Sequence, residues 1–105
     1  MKREVFMIQA QRYETKERAS VEIYGKKGQM IVNVRNLSAT GACLECDLAE
    51  FEIRQGDLIR MTVMLKTLGR KHYVNAEVVW RHGHRTGVSF VPSHQVLDRL
   101  LEKNS

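Results

Sequence analysis

The sequence predicts an all-β fold, a six-stranded antiparallel β-barrel with a C-terminal α-helix, and three observations carry the prediction. Apolar residues recur with period two through most of the chain, the pattern of strands that bury one face. Short Gly- and Asn-containing turn signals of hairpin length separate these runs. The period changes only after Pro92, the single proline of the 105 residues. Six short hairpin-linked strands expose their edges unless the sheet closes on itself, and closure removes those edges while the helix covers one opening. A chain of this length holds one shallow core and has no room for separate cofactor and substrate lobes.

Residues 1–10 read as an N-terminal extension, and residues 11–105 as the barrel domain. The start, Met1-Lys2-Arg3, looks like a signal peptide, but the apolar run Val5-Phe6-Met7-Ile8 stops at Gln9 and is too short for an h-region or a membrane span. A cytoplasmic location without membrane insertion is therefore expected. Residues 1–18 carry few packing signals beyond Phe6, Met7 and Ile8, so this segment is expected to be mobile when free. The first strand places Val21 and Ile23 inward and ends at Gly25-Lys26-Lys27-Gly28, a glycine-bounded hairpin turn. Met30, Val32 and Val34 continue the pattern beyond it, and Asn36-Leu37-Ser38-Ala39-Thr40-Gly41 interrupts it with turn formers. Ala42, Leu44 and Cys46 form a third inward set.

Gln55-Gly56-Asp57 opens a long strand with Ile59, Met61, Val63 and Leu65 on one face and Arg60, Thr62, Met64 and Lys66 on the other. Leu68-Gly69-Arg70-Lys71 turns the chain into Val74, Ala76, Val78 and Trp80, and Gly83 leads to a last strand with Val88 and Phe90. Trp80 reads as a core residue by this alternation; the alternative places it on the flank of a pocket. After Pro92, Ser93 is a good N-cap, and Val96, Leu97, Leu100 and Leu101 share one face of a helix over 93–103.

The formal charge is +5, and its surplus is concentrated. Between residues 54 and 87, Arg54, Arg60, Lys66, Arg70, Lys71, Arg81 and Arg85 face only Asp57 and Glu77, which suits an anionic partner as well as a solvated basic surface. Catalytic chemistry finds little support, because there is no G-x-S-x-G elbow, no H-E-x-x-H and no P-loop. No metal site is expected. Cys43 and Cys46 have C-x-x-C spacing, but residues three apart on a strand point to opposite faces. His82 and His84 flank Gly83 in a turn, with no third ligand nearby in sequence.

One constellation is more specific. Arg12-Tyr13-Glu14-Thr15-Lys16-Glu17-Arg18 precedes the first barrel strand, and Asn36-Leu37-Ser38-Ala39-Thr40-Gly41 follows some twenty residues later. With Gln55-Gly56-Asp57, Val78-Val79-Trp80 and Thr86-Gly87-Val88-Ser89-Phe90, this order of motifs resembles the PilZ domain over about residues 10–101. That family is a bacterial six-stranded barrel with a C-terminal helix, and it binds the second messenger cyclic di-GMP through R-x-x-x-R followed by D/N-x-S-x-x-G. Asn36, Ser38 and Gly41 match the second motif at every position, whereas the first reads Arg12-x-x-x-Lys16, with Arg18 two residues further on. An arginine grips a phosphate with a planar fork, and a lysine offers a point charge only.

The resemblance implies a binding site for cyclic di-GMP made of Arg12, Lys16, Arg18, Asn36, Ser38 and Gly41, with Trp80 as a possible flank, and no cofactor or catalytic activity. Arg12 suits a phosphate or a guanine face, Asn36 a guanine edge. Gly41 admits a positive φ and a close backbone approach. Ligand binding is expected to order the N-terminal segment and present a new surface to a protein partner in trans. Two alternatives stand beside this reading. One is a degenerate adaptor that binds a protein through outward residues such as Arg60 or Tyr73 and ignores the nucleotide. The weaker one is a nucleic-acid-binding barrel, for which only Tyr73 among the tyrosines lies within the basic stretch.

Overall fold

Alternation of apolar residues with mostly polar ones produces strands that wrap around a single apolar interior. The computed structural model describes residues 13–46, 53–65 and 69–103. Its elements are β1 (Tyr13–Glu14), β2 (Arg18–Ile23), β3 (Met30–Leu37), β4 (Gly41–Glu45), β5 (Leu58–Leu65), β6 (Arg70–His82), β7 (Arg85–Val91) and α1 (Ser93–Lys103). The sheet is antiparallel throughout and runs β3-β2-β5-β6-β7-β4, with β4 pairing back onto β3 to close a six-stranded barrel. The expected all-β barrel with its C-terminal helix is thus the fold observed.

The interior is filled by the predicted inward sets: Val21 and Ile23 of β2, Met30, Val32 and Val34 of β3, Ala42 and Leu44 of β4, Ile59, Met61 and Val63 of β5, Ala76 and Val78 of β6, and Val88 of β7. Ala19 and Ile53 join them. Cys43 of β4 is buried but stands outside the core cluster, whereas Cys46, just after β4, packs partly buried against that cluster.

Two details differ from the sequence reading. Arg18 is the first residue of β2 rather than part of a loop, and Tyr13–Glu14 already pair with Leu37 and Asn36 on β3. Residues preceding Tyr13, Arg12 included, lie outside the described residues. Helix α1 does not plug the barrel. It rests against the outer side of β6, where Arg99 pairs with the outward-facing Glu77, and it buries none of its residues. Val96 and Leu100 are half-buried, whereas Leu97 is 65% and Leu101 58% exposed, because the convex outer surface of a barrel touches only one side of a helix.

Candidate functional site

Two β-bulges decide which side chains reach the outer surface near the motifs. Continued alternation from Val34 would send Asn36 into the core. Instead the β3–β4 register shifts between Val34 and Asn36, so that Val34 opposes Leu44 while Asn36 opposes Cys43. The extra residue turns both Arg35 and Asn36 to the outer face. A second shift between Val78 and Trp80 in the β6–β7 pairing does the same for Val79 and Trp80. Trp80 is 43% exposed, which overturns its assignment as a core tryptophan.

These bulges bracket one row across the outer face. Asn36 pairs with Cys43, Cys43 with Gly87, and Gly87 with Trp80. The indole of Trp80 lies directly over Gly87, where any Cβ would collide with it. A third irregularity places the other motif beside this row. Glu14 opposes Asn36 and Arg18 opposes Asn33, which leaves one more residue on the N-terminal side than on β3. The Thr15 amide donates to the Arg35 carbonyl (3.0 Å), the Val34 amide donates to the Glu17 carbonyl (2.8 Å), and the chain bulges outward between them at Lys16. The Thr15 hydroxyl accepts from the Glu17 amide at 2.9 Å and closes the bend.

The result is an open depression of about 540 Å³ in the flank of the barrel, within the ~300–1,000 Å³ typical of small-molecule sites. Lys16 and Asn36 line it together, one from each motif. Arg35 and Arg85 add two cations that the sequence reading did not single out, and Glu45 pairs with both, at 3.5 Å and 3.6 Å. Glu14 and Cys43 complete its wall and floor. A concave surface with three cations, two carboxylates and two amides can hold a phosphate and present hydrogen-bonding groups to a base edge. The signal for Arg85 and Glu45 lies in the register that places them opposite each other, which a single sequence does not display.

The other predicted residues fall in different places. Ser38 serves its own turn, since its Oγ accepts from the amides of Thr40 and Gly41 at 3.2 Å and its amide donates to the Gly41 carbonyl at 2.9 Å. Gly41 lacks the positive φ anticipated for it, and a Cβ there would strike the Val88 carbonyl oxygen, so its small size serves the approach of β4 to β7. Arg18 lines a separate depression with Ile31, Met64, Lys71 and Tyr73, one residue pair away from the site that Lys16 and Asn36 share. Trp80 does not line that site but stands over Gly87, the strand neighbour of Cys43. Among the described residues no group of His, Cys, Asp or Glu is placed to hold a metal ion, and no helix is long and apolar enough to cross a membrane.

A closed six-stranded antiparallel barrel with a C-terminal helix, in which Lys16 and Asn36 line one depression on the flank, is the architecture of a PilZ-type domain. The family model for the PilZ domain matches residues 8–103, and the chain belongs to the PilZ domain family. PilZ domains are generally receptors for cyclic di-GMP rather than enzymes. Among solved structures, the chain is similar to the PilZ domain of CeSA from a cellulose-synthesizing bacterium, at 12% identity and a TM-score of 0.67, covering 90% of this chain and 94% of that one. It also resembles an uncharacterized Legionella protein, at 12% identity and a TM-score of 0.51, covering 89% and 96% of the two chains. At that identity the likeness is one of fold. No curated protein matches the sequence.

Proposed function

We propose that this chain is a cytoplasmic, non-catalytic receptor for cyclic di-GMP that binds the nucleotide in the depression shared by Lys16 and Asn36. The observation that carries the reading is that residues from two separate motifs line one cationic concavity. Arg12, adjacent in sequence to Tyr13 of β1, adds the arginine of the first motif. Lys16 contributes charge to a phosphate, and Asn36 offers its amide to a guanine edge. Ser38 and Gly41 act one step back, by holding the turn that ends β3 and the approach of β4 to β7. Trp80 flanks the site from over Gly87. Arg18, on its neighbouring surface, is the weakest member of the set.

Binding orders the segment that carries Arg12 against the barrel and so presents a new surface to a partner protein. Amide spectra with saturating cyclic di-GMP test this directly. Residues 10–20 and 36–41 shift if the reading is right, and unchanged spectra refute it.

A second reading rests on a different surface. Ile31 and Tyr73 stand exposed on the outer face of β3-β2-β5-β6, with Met64 beside them and Arg18 and Lys71 at the rim. The Arg60 guanidinium lies over the Tyr73 ring, 5.4 Å from its centroid. Such a face suits an acidic protein segment, as in a nucleotide-independent adaptor. In that case Tyr73→Ala abolishes partner binding and Arg12→Ala leaves it intact. Salt-sensitive retention on single-stranded oligonucleotides would instead favour a nucleic-acid partner.

A further inference from the structure

We infer that Glu45 is a built-in stand-in for a ligand phosphate, which holds Arg35 and Arg85 at the depression until an anionic ligand takes them over. The inference rests on the receptor reading and names ligand-gripping residues outside its two motifs. Glu45 lies on β4 between the strands that carry the two arginines, opposite Asn33 of β3 on one side and Arg85 of β7 on the other. Its two oxygens serve the arginines separately, Oε1 facing Arg35 at 3.5 Å and Oε2 facing Arg85 at 3.6 Å. A phosphate with two unesterified oxygens can take the same pair of contacts.

The exchange is physically easy. Both ion pairs are long and solvent-exposed, with the arginine side chains 47% and 53% accessible, and exposed pairs of this kind contribute little to stability. Each guanidinium keeps N–H donors beyond the one nearest Glu45, so a ligand can engage both before the carboxylate has moved away. The gain bears on the first motif. Lys16 supplies only a point charge to the first motif, and Arg35 and Arg85 return the planar fork geometry to the same concavity.

Glu45 also limits affinity. Lys16, Arg35 and Arg85 face Glu14 and Glu45 among the lining residues, so the carboxylate that positions the arginines offsets much of their charge. Once a dianionic nucleotide binds, Glu45 stands beside its phosphates and opposes them. Neutralising this one residue while keeping its shape should tighten binding. Removing either arginine should weaken it.

The test compares wild type, Glu45→Gln, Arg35→Ala and Arg85→Ala by calorimetry with cyclic di-GMP. A parallel titration with inorganic pyrophosphate follows the arginine Nε–Hε signals by NMR. Glu45→Gln is expected to bind the nucleotide about three- to tenfold tighter, and at least one arginine variant to bind it weaker by a similar factor, the worth of one solvent-screened charge pair. Unchanged affinity in Glu45→Gln, or in both arginine variants, overturns the inference and leaves the receptor reading standing. If the wild type binds no nucleotide, the receptor reading fails and the pyrophosphate titration decides. Shifts of the Arg35 and Arg85 signals that grow in Glu45→Gln sustain the inference, and silent arginine signals overturn it.

Discussion

Gly41→Ala separates a glycine kept for the fold from one kept for a ligand. The new Cβ would meet the Val88 carbonyl oxygen, which is backbone of the paired strand β7, so no rotamer change relieves the clash. Overpacking of a filled site costs about 1–3 kcal/mol. Displacing Gly41 strains the turn bond from the Ser38 amide to the Gly41 carbonyl (2.9 Å) and the bond from the Phe90 amide of β7 to the Thr40 carbonyl (2.9 Å). Weakening such bonds costs about 0.5–1.5 kcal/mol each. Alanine returns roughly 0.4–1 kcal/mol by restricting the unfolded chain. The net loss is about 3 kcal/mol, or on the order of 12–24 °C in Tm for a domain of this size. Gly87→Ala is the matched comparison, because the nearest atoms its Cβ meets all belong to the side chain of Trp80, which can swing into solvent. Its cost is about 1 kcal/mol. Urea unfolding followed by circular dichroism measures both. A loss below about 0.5 kcal/mol in Gly41→Ala, or equal losses in the two variants, would refute the reasoning.

Other consequences follow from the same geometry. Lys16→Arg restores a planar fork at the edge of the depression and should tighten cyclic di-GMP binding by about tenfold, read by calorimetry. Met61, fully buried in the barrel, should lose about 2–5 kcal/mol on replacement by alanine, read from the urea midpoint. Leu97→Glu and Leu101→Glu change exposed helix positions and should each leave stability within about 0.5 kcal/mol, whereas a large loss would show that α1 packs its whole apolar face. Gly87→Ala should alter the emission of Trp80, the single tryptophan of the chain, because it displaces the indole from its strand.

Period-two patterning named most of the inward residues of the six barrel strands, Ala19 of β2 excepted, because each strand buries one face and a one-residue slip would expose an entire set. It failed where a bulge adds a residue. Asn36 and Trp80 both reach the outer face through such shifts, and neither Arg35 nor Val79 carries a local signature of one. The family resemblance, rather than any local pattern, put Lys16 and Asn36 in one site, and the two line one depression. Arg85 reads in the sequence only as part of the basic stretch and Glu45 not as a site residue, because cross-strand partners far apart in sequence become neighbours only once the register is known. Ser38 and Gly41 were read for ligand contact, yet their atoms are engaged in a turn and a strand approach, roles that the same residue types fill equally well. The helix was legible as an element and not in its placement. Amphipathicity reports that a face is apolar and leaves open how much of it a curved sheet can cover.

Calorimetric titration of the wild type with cyclic di-GMP, beside Arg12→Ala and with GTP as control ligand, tests the receptor reading most directly. Saturable binding by the wild type, lost in Arg12→Ala and absent with GTP, is the predicted result, and the stoichiometry separates one bound molecule from two. No heat and no thermal shift at high nucleotide concentration would contradict it and turn attention to a protein partner on the Tyr73 face.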